Sequence, residues 1–135
     1  MRILIDTNVI LDILQKREPF FADSYRALRK AIEGDAECLI PASAATDIFY
    51  MLRKALGSAQ QAKEQIEQLA QLVSFADVQG MDIHTALMRA MPDFEDAVMD
   101  AVAERNEASY ILTRNIKDFA GSVVPAILPA DFLNQ

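Results

Sequence analysis

The sequence predicts an α/β protein: a single three-layer α/β/α domain over residues 1–135, with a mainly parallel sheet of four or five short strands. Two observations predict this fold class. Short apolar runs alternate along the chain with longer stretches whose apolar residues recur at helical spacing. No internal repeat, low-complexity tract or linker interrupts that alternation. Strands separated by helices pair in parallel, so the alternation favours a parallel sheet with helices on its faces.

The first predicted strand, residues 3–5, is the reference point for the remaining elements. Its three apolar residues are typical of a strand buried on both faces, and the run ends at Asp6. Apolar residues then recur at helical spacing from Val9, so the chain turns directly from strand into helix. Further strands are predicted at residues 38–40, 74–78 and 110–112, with an edge strand at 126–128 between two prolines.

The predicted helices are bounded by residues that commonly start or stop helices. Pro19 follows the first helix, and Gly34 closes the second, which opens at Phe20 and Phe21. Ser43 is predicted to cap the helix that follows the second strand. Further helices are predicted at residues 58–72, 81–91 and 93–106.

The composition narrows the range of functions. A net charge of -7 argues against an ordinary nucleic-acid binder, which carries a basic face. Acid concentrated in one cleft would instead indicate a divalent cation site. The single Cys38 lies in an apolar run and is predicted to be a core residue of a cytoplasmic protein. The first apolar run is too short for a secretory signal, and no run reaches the ~18 residues of a membrane span, so no membrane partner is expected.

Carboxylates are predicted to gather at one edge of the sheet, because parallel strands end where the following helices begin. Asp6 ends the first strand, and Asp47 lies in the early turns of the helix after the second. Asp93 and Asp96 open the helix before the fourth strand, and Asp118 follows that strand. The alternative interpretation is helix capping, since Asp6 and Asp93 both occupy positions typical of an N-cap.

The acids of the helix predicted at residues 93–106 also favour a metal site. Asp93, Asp96 and Asp100 are spaced three and four apart and are predicted to line one helix face, with Phe94 on the opposite, apolar side. Converging carboxylates ~4 Å apart would repel by about 4 kcal/mol at an effective dielectric near 20, so a counter-charge is needed. Oxygen ligands without clustered His or Cys select Mg²⁺ or Mn²⁺, which can activate a water to attack a phosphate.

Three motifs occur in a fixed order. They are Asp6-Thr7-Asn8-Val9-Ile10-Leu11-Asp12, Asp93-Phe94-Glu95-Asp96-Ala97, and Thr113-Arg114-Asn115 followed by Asp118-Phe119. Together they resemble the PIN-domain family, and within it the VapC-like toxin ribonucleases of prokaryotes, over nearly the full chain. The resemblance implies a Mg²⁺- or Mn²⁺-dependent endoribonuclease that prefers single-stranded RNA. It also implies a homodimer and an antitoxin partner that holds the enzyme inactive.

The resemblance also implies roles for individual residues. Asp6 matches the family's first acid and Asp96 its third. Asp47 falls where the family usually has Glu, and Asn115 falls where many members have a fourth acid, whose charge Asp118 could supply. The implied catalytic residues are Asp6, Asp47, Asp96 and Asn115, and the implied metal ligands are Asp6, Asp47, Asp96 and Asp118. The supporting residues are Thr7, Asn8, Asp93 and Thr113, and the expected RNA contacts are Arg53, Arg114 and Lys117.

Two residues are assigned no role in the site, and two other functions stay open. Asp12 is expected to be a solvated helix residue, and His84 a surface residue.

The first alternative function is a PIN-like scaffold that binds RNA or a protein partner without cutting, which the departures at Asp47 and Asn115 favour. The second is an aspartyl-phosphate phosphohydrolase, although that chemistry expects an acid where Asn8 stands. A homodimer is also suggested by apolar residues on two helices, Phe20, Phe21, Tyr25, Phe49, Tyr50 and Met51.

Overall fold

Five β-strands alternate with seven α-helices and one 3₁₀ helix in a computed structural model that describes residues 1–135. The strands are β1 (Arg2–Ile5), β2 (Glu37–Pro41), β3 (Ser74–Ala76), β4 (Tyr110–Leu112) and β5 (Ala126–Ile127). The helices are α1 (Thr7–Leu14), α2 (Phe21–Glu33), α3 (Ala42–Leu56), α4 (Ala59–Ala70), α5 (Gly80–Leu87), α6 (Phe94–Arg105) and α7 (Pro129–Phe132). The 3₁₀ helix spans Ile116–Phe119.

The strands form one all-parallel sheet in the order β3-β2-β1-β4-β5. β1 is central, with Ile3 opposite Cys38 of β2 on one side and Tyr110 of β4 on the other. β5 lies at one edge, as expected for a short strand between two prolines. The predicted α/β fold is therefore confirmed, and the sheet is wholly parallel.

Helices cover both faces of the sheet, because the central strand is apolar on both of its faces. Ile3 and Ile5 pack into a core with residues of α1, α2, α3 and α4. Leu4 points the other way and packs with Val102 of α6 and Phe119. The side chains of Ile3, Leu4 and Ile5 are 0% exposed, and burying each contributes roughly 1.5–3 kcal/mol. Alternation along one strand thus produces the three layers.

Two expectations about helix ends are wrong. α3 begins at Ala42 with Pro41 at the N-cap position, so Ser43 lies inside the first turn and does not cap the helix. Phe94, expected on the apolar side of its helix, is the first residue of α6 and is 48% exposed.

Asp100 is a structural residue and does not extend an acidic face of α6. It is 0% exposed, and its carboxylate accepts hydrogen bonds from the backbone N–H groups of Val123 and Val124, both at 3.0 Å. Arg89 forms an ion pair with it at 3.0 Å. This inward turn of Arg89 follows α5, which ends at Leu87 and not at the predicted residue 91. Asp100 therefore secures a distant loop to α6.

Cys38 lies in β2 and is buried, as predicted for a core residue. Burial raises the pKa of its thiol to about 11, which keeps the thiol protonated near neutral pH. Separately, none of the helices has both the length and the apolar character that crossing a lipid bilayer would need.

Candidate active site

The predicted site residues lie around the edge at which the parallel strands end. Asp6 follows β1, and Thr113 follows β4, the neighbouring strand in the sheet. Asp93 is the N-cap of α6, and Asp47 lies in the second turn of α3. Four separate chain segments therefore contribute polar side chains to this edge, as expected for a parallel topology.

Asp6 is held in place by a hydrogen-bonded chain. Its side chain is nearly buried, and the Thr113 hydroxyl donates to Asp6 Oδ2 at 2.7 Å. The backbone N–H of Asn115 in turn donates to Thr113 Oγ1 at 3.0 Å. Burial raises the pKa of Asp6, and the Thr113 hydrogen bond opposes that rise. Asp6 occupies the N-cap position of α1 but makes no side-chain capping bond, so its carboxylate faces Thr113 and does not cap the helix.

Asp96 is the most electrostatically strained carboxylate of the cleft. Burial, and then the charge of Asp93, raise the pKa of Asp96 to about 7. The charges of Asp6, Asp118 and Glu95 add to this rise in pKa. A negative charge on Asp96 is therefore unfavourable unless a cation approaches.

Glu95 belongs to the same cluster, although the sequence reasoning gave it no role. Burial, and then the charge of Asp47, raise the pKa of Glu95. Glu95 and Asp47 line one small cleft together with Thr7 and Ser43. Its only signal in the sequence is its place beside Asp96 in the first turn of a helix at this edge, where the helix dipole by itself also favours an acid.

The acids lie at the same edge of the sheet, but their side chains are too far apart to coordinate one cation together. No three His, Cys, Asp or Glu side chains are grouped tightly enough to hold one cation. The donor chemistry suits a hard cation, because it offers carboxylate oxygens and the buried Oδ1 of Asn8, which has no hydrogen-bond partner. Asp47 and Asp118 are exposed, so their side chains can change rotamer. Direct coordination by Asp6, Asp96 and either of these residues requires such a movement.

Several predicted site residues are exposed around the cleft. Asn115 precedes the 3₁₀ helix, and Lys117 and Asp118 lie within it. Arg53 lies on α3, nearly two turns beyond Asp47. The side chains of Asn115, Lys117 and Arg53 make no hydrogen bond within the protein, so they are accessible to a ligand.

Arg114 is committed to a second role. Its Nε and Nη2 atoms donate to the two carboxylate oxygens of Asp12 at 2.5 and 3.1 Å. Its guanidinium group lies 4.0 Å from the centre of the Phe20 ring. Asp12 is 0% exposed, so the expectation that it is solvated is wrong. The two N–H groups of Nη1 and the second N–H of Nη2 remain for the predicted RNA contact.

Asp93 caps α6, since its Oδ1 accepts a hydrogen bond from the backbone N–H of Asp96 at 3.0 Å. We expect the free energy of unfolding of Asp93→Ala to be about 1 kcal/mol lower than that of Asp93→Ser, because serine is also a good N-cap and alanine is not. Both variants remove the same charge, so urea denaturation in EDTA isolates the cap. A serine variant as unstable as the alanine variant would contradict the capping role.

An all-parallel α/β sheet with carboxylates from four segments at its carboxyl edge defines a class of proteins that bind ligands at that edge. The chain belongs to the PIN domain family, whose family model matches residues 2–117. PIN domains are generally nucleases, and PIN nucleases typically use divalent metals. No curated protein matches the chain in sequence.

Several solved structures share the fold. A chain of VapBC2 from Rickettsia felis, solved with a DNA fragment from the promoter, is 14% identical with a TM-score of 0.74, covering 95% of this chain and 98% of that one. A chain of FitAcB from Neisseria gonorrhoeae is 19% identical with a TM-score of 0.66, covering 94% and 97%. A chain of a toxin-antitoxin complex from Klebsiella pneumoniae is 17% identical with a TM-score of 0.65, covering 93% and 96%. At these identities the similarity concerns the fold.

Proposed function

We propose that this protein is a Mg²⁺- or Mn²⁺-dependent endoribonuclease that cleaves single-stranded or structured RNA, and that it is the toxin of a toxin-antitoxin pair. The observation that carries the proposal is the unneutralised charge around Asp96, whose pKa is raised to about 7 by burial and by neighbouring acids. Asp6, one of those acids, is held on the same edge by Thr113. Fixed carboxylates that repel one another support a cation site.

The residues that would hold the cation are Asp6, Asp47, Asp96 and Asp118. A bound divalent cation supplies a water of lowered pKa and neutralises the charge that develops on a phosphate. Thr113 keeps Asp6 from rotating, and the backbone of Asn115 keeps Thr113 in place. The Asn115 amide, on an exposed side chain, can donate to a phosphate oxygen, and Lys117 can attract the RNA backbone.

The proposed partners follow from the family and from the similar structures. Those structures include toxin-antitoxin complexes, and we extend that partnership to this chain as part of the proposal. An RNA substrate puts the place of action in the cytoplasm. Tyr25, Tyr50 and Met51 are exposed by 45%, 66% and 37%, which supports burial against a second copy. Light scattering at micromolar concentration should then give the mass of a dimer.

The activity is tested by incubating the purified protein with a mixed RNA pool, with Mn²⁺ or with EDTA, and mapping the product ends by sequencing. We expect discrete cuts with Mn²⁺, no cuts with EDTA and no cuts by Asp6→Asn. Intact RNA after incubation of the wild type with Mn²⁺ would contradict the nuclease.

The exposed position of Asp47 gives a separate prediction. If Asp47 is a ligand that reaches the cation one methylene short, Asp47→Glu should keep or raise Mn²⁺-dependent cleavage, whereas Asp47→Ala should abolish it. The matched variant Glu95→Gln tests the other carboxylate of the same small cleft. Full activity of Asp47→Ala with loss in Glu95→Gln would move the second ligand to Glu95.

A non-cutting scaffold that binds RNA or a protein partner is the second candidate. Two departures from the family pattern favour it: Asp47, where the family usually has Glu, and Asn115, where many members have a fourth acid. A scaffold should bind RNA equally with Mn²⁺ and with EDTA and release no products, so the cleavage assay separates the two functions.

A further inference from the structure

A cavity of about 420 Å³ lies beside the candidate active site, and Arg114 is the only predicted site residue that lines it. Phe20 and Ser24 line it from the start of α2, and Leu128 and Pro129 line it from the start of α7. The cavity is mostly apolar, with a few polar groups at its wall, as is usual for pockets that bind small organic groups.

Ser24 is an unsatisfied polar residue at this cavity. It is 1% exposed, and its Oγ atom has no hydrogen-bond partner in the protein. A helical serine commonly bonds the carbonyl of the preceding turn, which Ser24 does not do. Buried polar atoms nearly always have a hydrogen-bond partner. The Ser24 hydroxyl is therefore a group that a polar atom of a bound ligand would satisfy.

The charges at the cavity favour a neutral ligand over a phosphate. The positive charge of Arg114 is already paired with the buried carboxylate of Asp12, and Asp23 adds an exposed carboxylate to the lining. An anion would therefore meet a net negative wall. The uncommitted Arg114 Nη1 and the Asp23 carboxylate instead offer one donor and one acceptor to a ligand edge.

The cavity has a neighbour on the side of the candidate active site. Arg114 and Leu128 also line an adjoining cavity of about 350 Å³, whose other walls include Asn115, Lys117 and Asp118. Its position and lining suit one strand of RNA whose phosphate lies near Lys117 and whose neighbouring base enters the larger cavity.

We propose that the larger cavity binds one base of the RNA substrate, and that this base is guanine. Guanine carries two adjacent N–H donors, which suit the Asp23 carboxylate, beside acceptor atoms that suit Arg114 Nη1 and the Ser24 hydroxyl. The apolar side chains of Leu128 and Pro129 cover the faces of the ring. This assignment rests on the proposed nuclease function, and it makes the cavity the determinant of the cleavage sequence.

The direct test is binding of 5′-GMP and of 5′-AMP to ¹⁵N-labelled protein in EDTA, which needs no cleavage. GMP should shift the amide signals of Asp23, Ser24 and Arg114 and bind about tenfold tighter than AMP. Asp23→Asn should remove that ratio, whereas Glu33→Gln, which removes a carboxylate elsewhere on α2, should keep it. Equal binding of the two nucleotides, or an unchanged ratio in Asp23→Asn, would overturn the proposal.

Cleavage mapping separates this inference from the nuclease itself. The wild type should cut next to a guanine at one fixed position, and Ala130→Phe, which fills the cavity from its exposed rim, should lose that preference. GMP preference without RNA cleavage would support the pocket and contradict the nuclease. Cleavage with no base preference, unchanged in Ala130→Phe, would overturn the pocket, retain the nuclease and assign the cavity to a side chain of a protein partner.

Discussion

Asp96→Asn is expected to stabilise the metal-free protein at pH 8 by about 1–2 kcal/mol and to lower Mn²⁺-dependent cleavage by at least about a hundredfold. The two effects have one cause. Asp96 is partly buried among acids that raise its pKa to about 7, so its negative charge destabilises the folded protein until a cation offsets it. Asparagine keeps the shape of the side chain and removes the charge.

The pH dependence has a defined sign. The pKa of Asp96 is about 7 in the folded protein and near 3.8 in an unfolded chain, so the folded protein binds more protons between these values. The stability contributed by protonated Asp96 is fully present below pH 3.8 and is lost as the pH rises through 7. The stability difference between Asp96→Asn and the wild type should therefore be close to zero near pH 4 and greatest above pH 7.

Urea denaturation in EDTA at pH 4.5 and at pH 8 measures this difference. Asp131→Asn, which removes an exposed carboxylate of α7, controls for the change in net charge. With Mn²⁺ the melting temperature of the wild type should rise, and that of Asp96→Asn should change little. An equal rise in both proteins would remove Asp96 from the metal site.

The fold was predictable because its decisive signals are local. Residues 3–5 of β1 and residues 110–112 of β4 are apolar runs, each followed by polar residues, so both strands could be located from the sequence to within a residue or two. The parallel topology then placed Asp6 and Asp96 at one edge without any knowledge of side-chain packing. What the sequence did not reveal is which acids there have partners inside the protein.

The missed features depend on contacts between distant parts of the chain. Asp12 and Arg114 are 102 residues apart, and each taken alone has the pattern of a surface charge. Asp100 follows the helical spacing of Asp96, yet loop amides 23 and 24 residues further along the chain enclose it. Glu95 has the sequence pattern of an acid that the helix dipole favours, because its proximity to Asp47, on another helix, appears only in the folded protein.

Arg114→Met is expected to lower the free energy of unfolding by about 3–5 kcal/mol, because it leaves a carboxylate buried without a partner charge. Asp12 is 0% exposed, whereas the Arg114 side chain is 24% exposed. Asp12→Asn should therefore cost less than Arg114→Met, since an unpaired Arg114 can rotate its guanidinium toward water and Asp12 cannot. For a domain of this size the loss of Arg114 should lower the melting temperature by about 10–20 °C.

A double variant that carries Asp12→Leu and Arg114→Met isolates the contribution of the ion pair to stability. Replacing both ions with apolar groups of similar size removes the unpaired charge, so the double variant should regain much of the stability that Arg114→Met loses. Arg29→Met is the matched control, because Arg29 pairs with Glu33 at 2.7 Å on the exposed face of α2 and its loss should matter far less. Urea denaturation at pH 7 in EDTA compares the wild type with Asp12→Asn, Arg114→Met, the double variant and Arg29→Met. If Arg114→Met is no less stable than Arg29→Met, the Asp12 carboxylate does not depend on Arg114, and the rigid guanidinium that the guanine pocket requires is also absent.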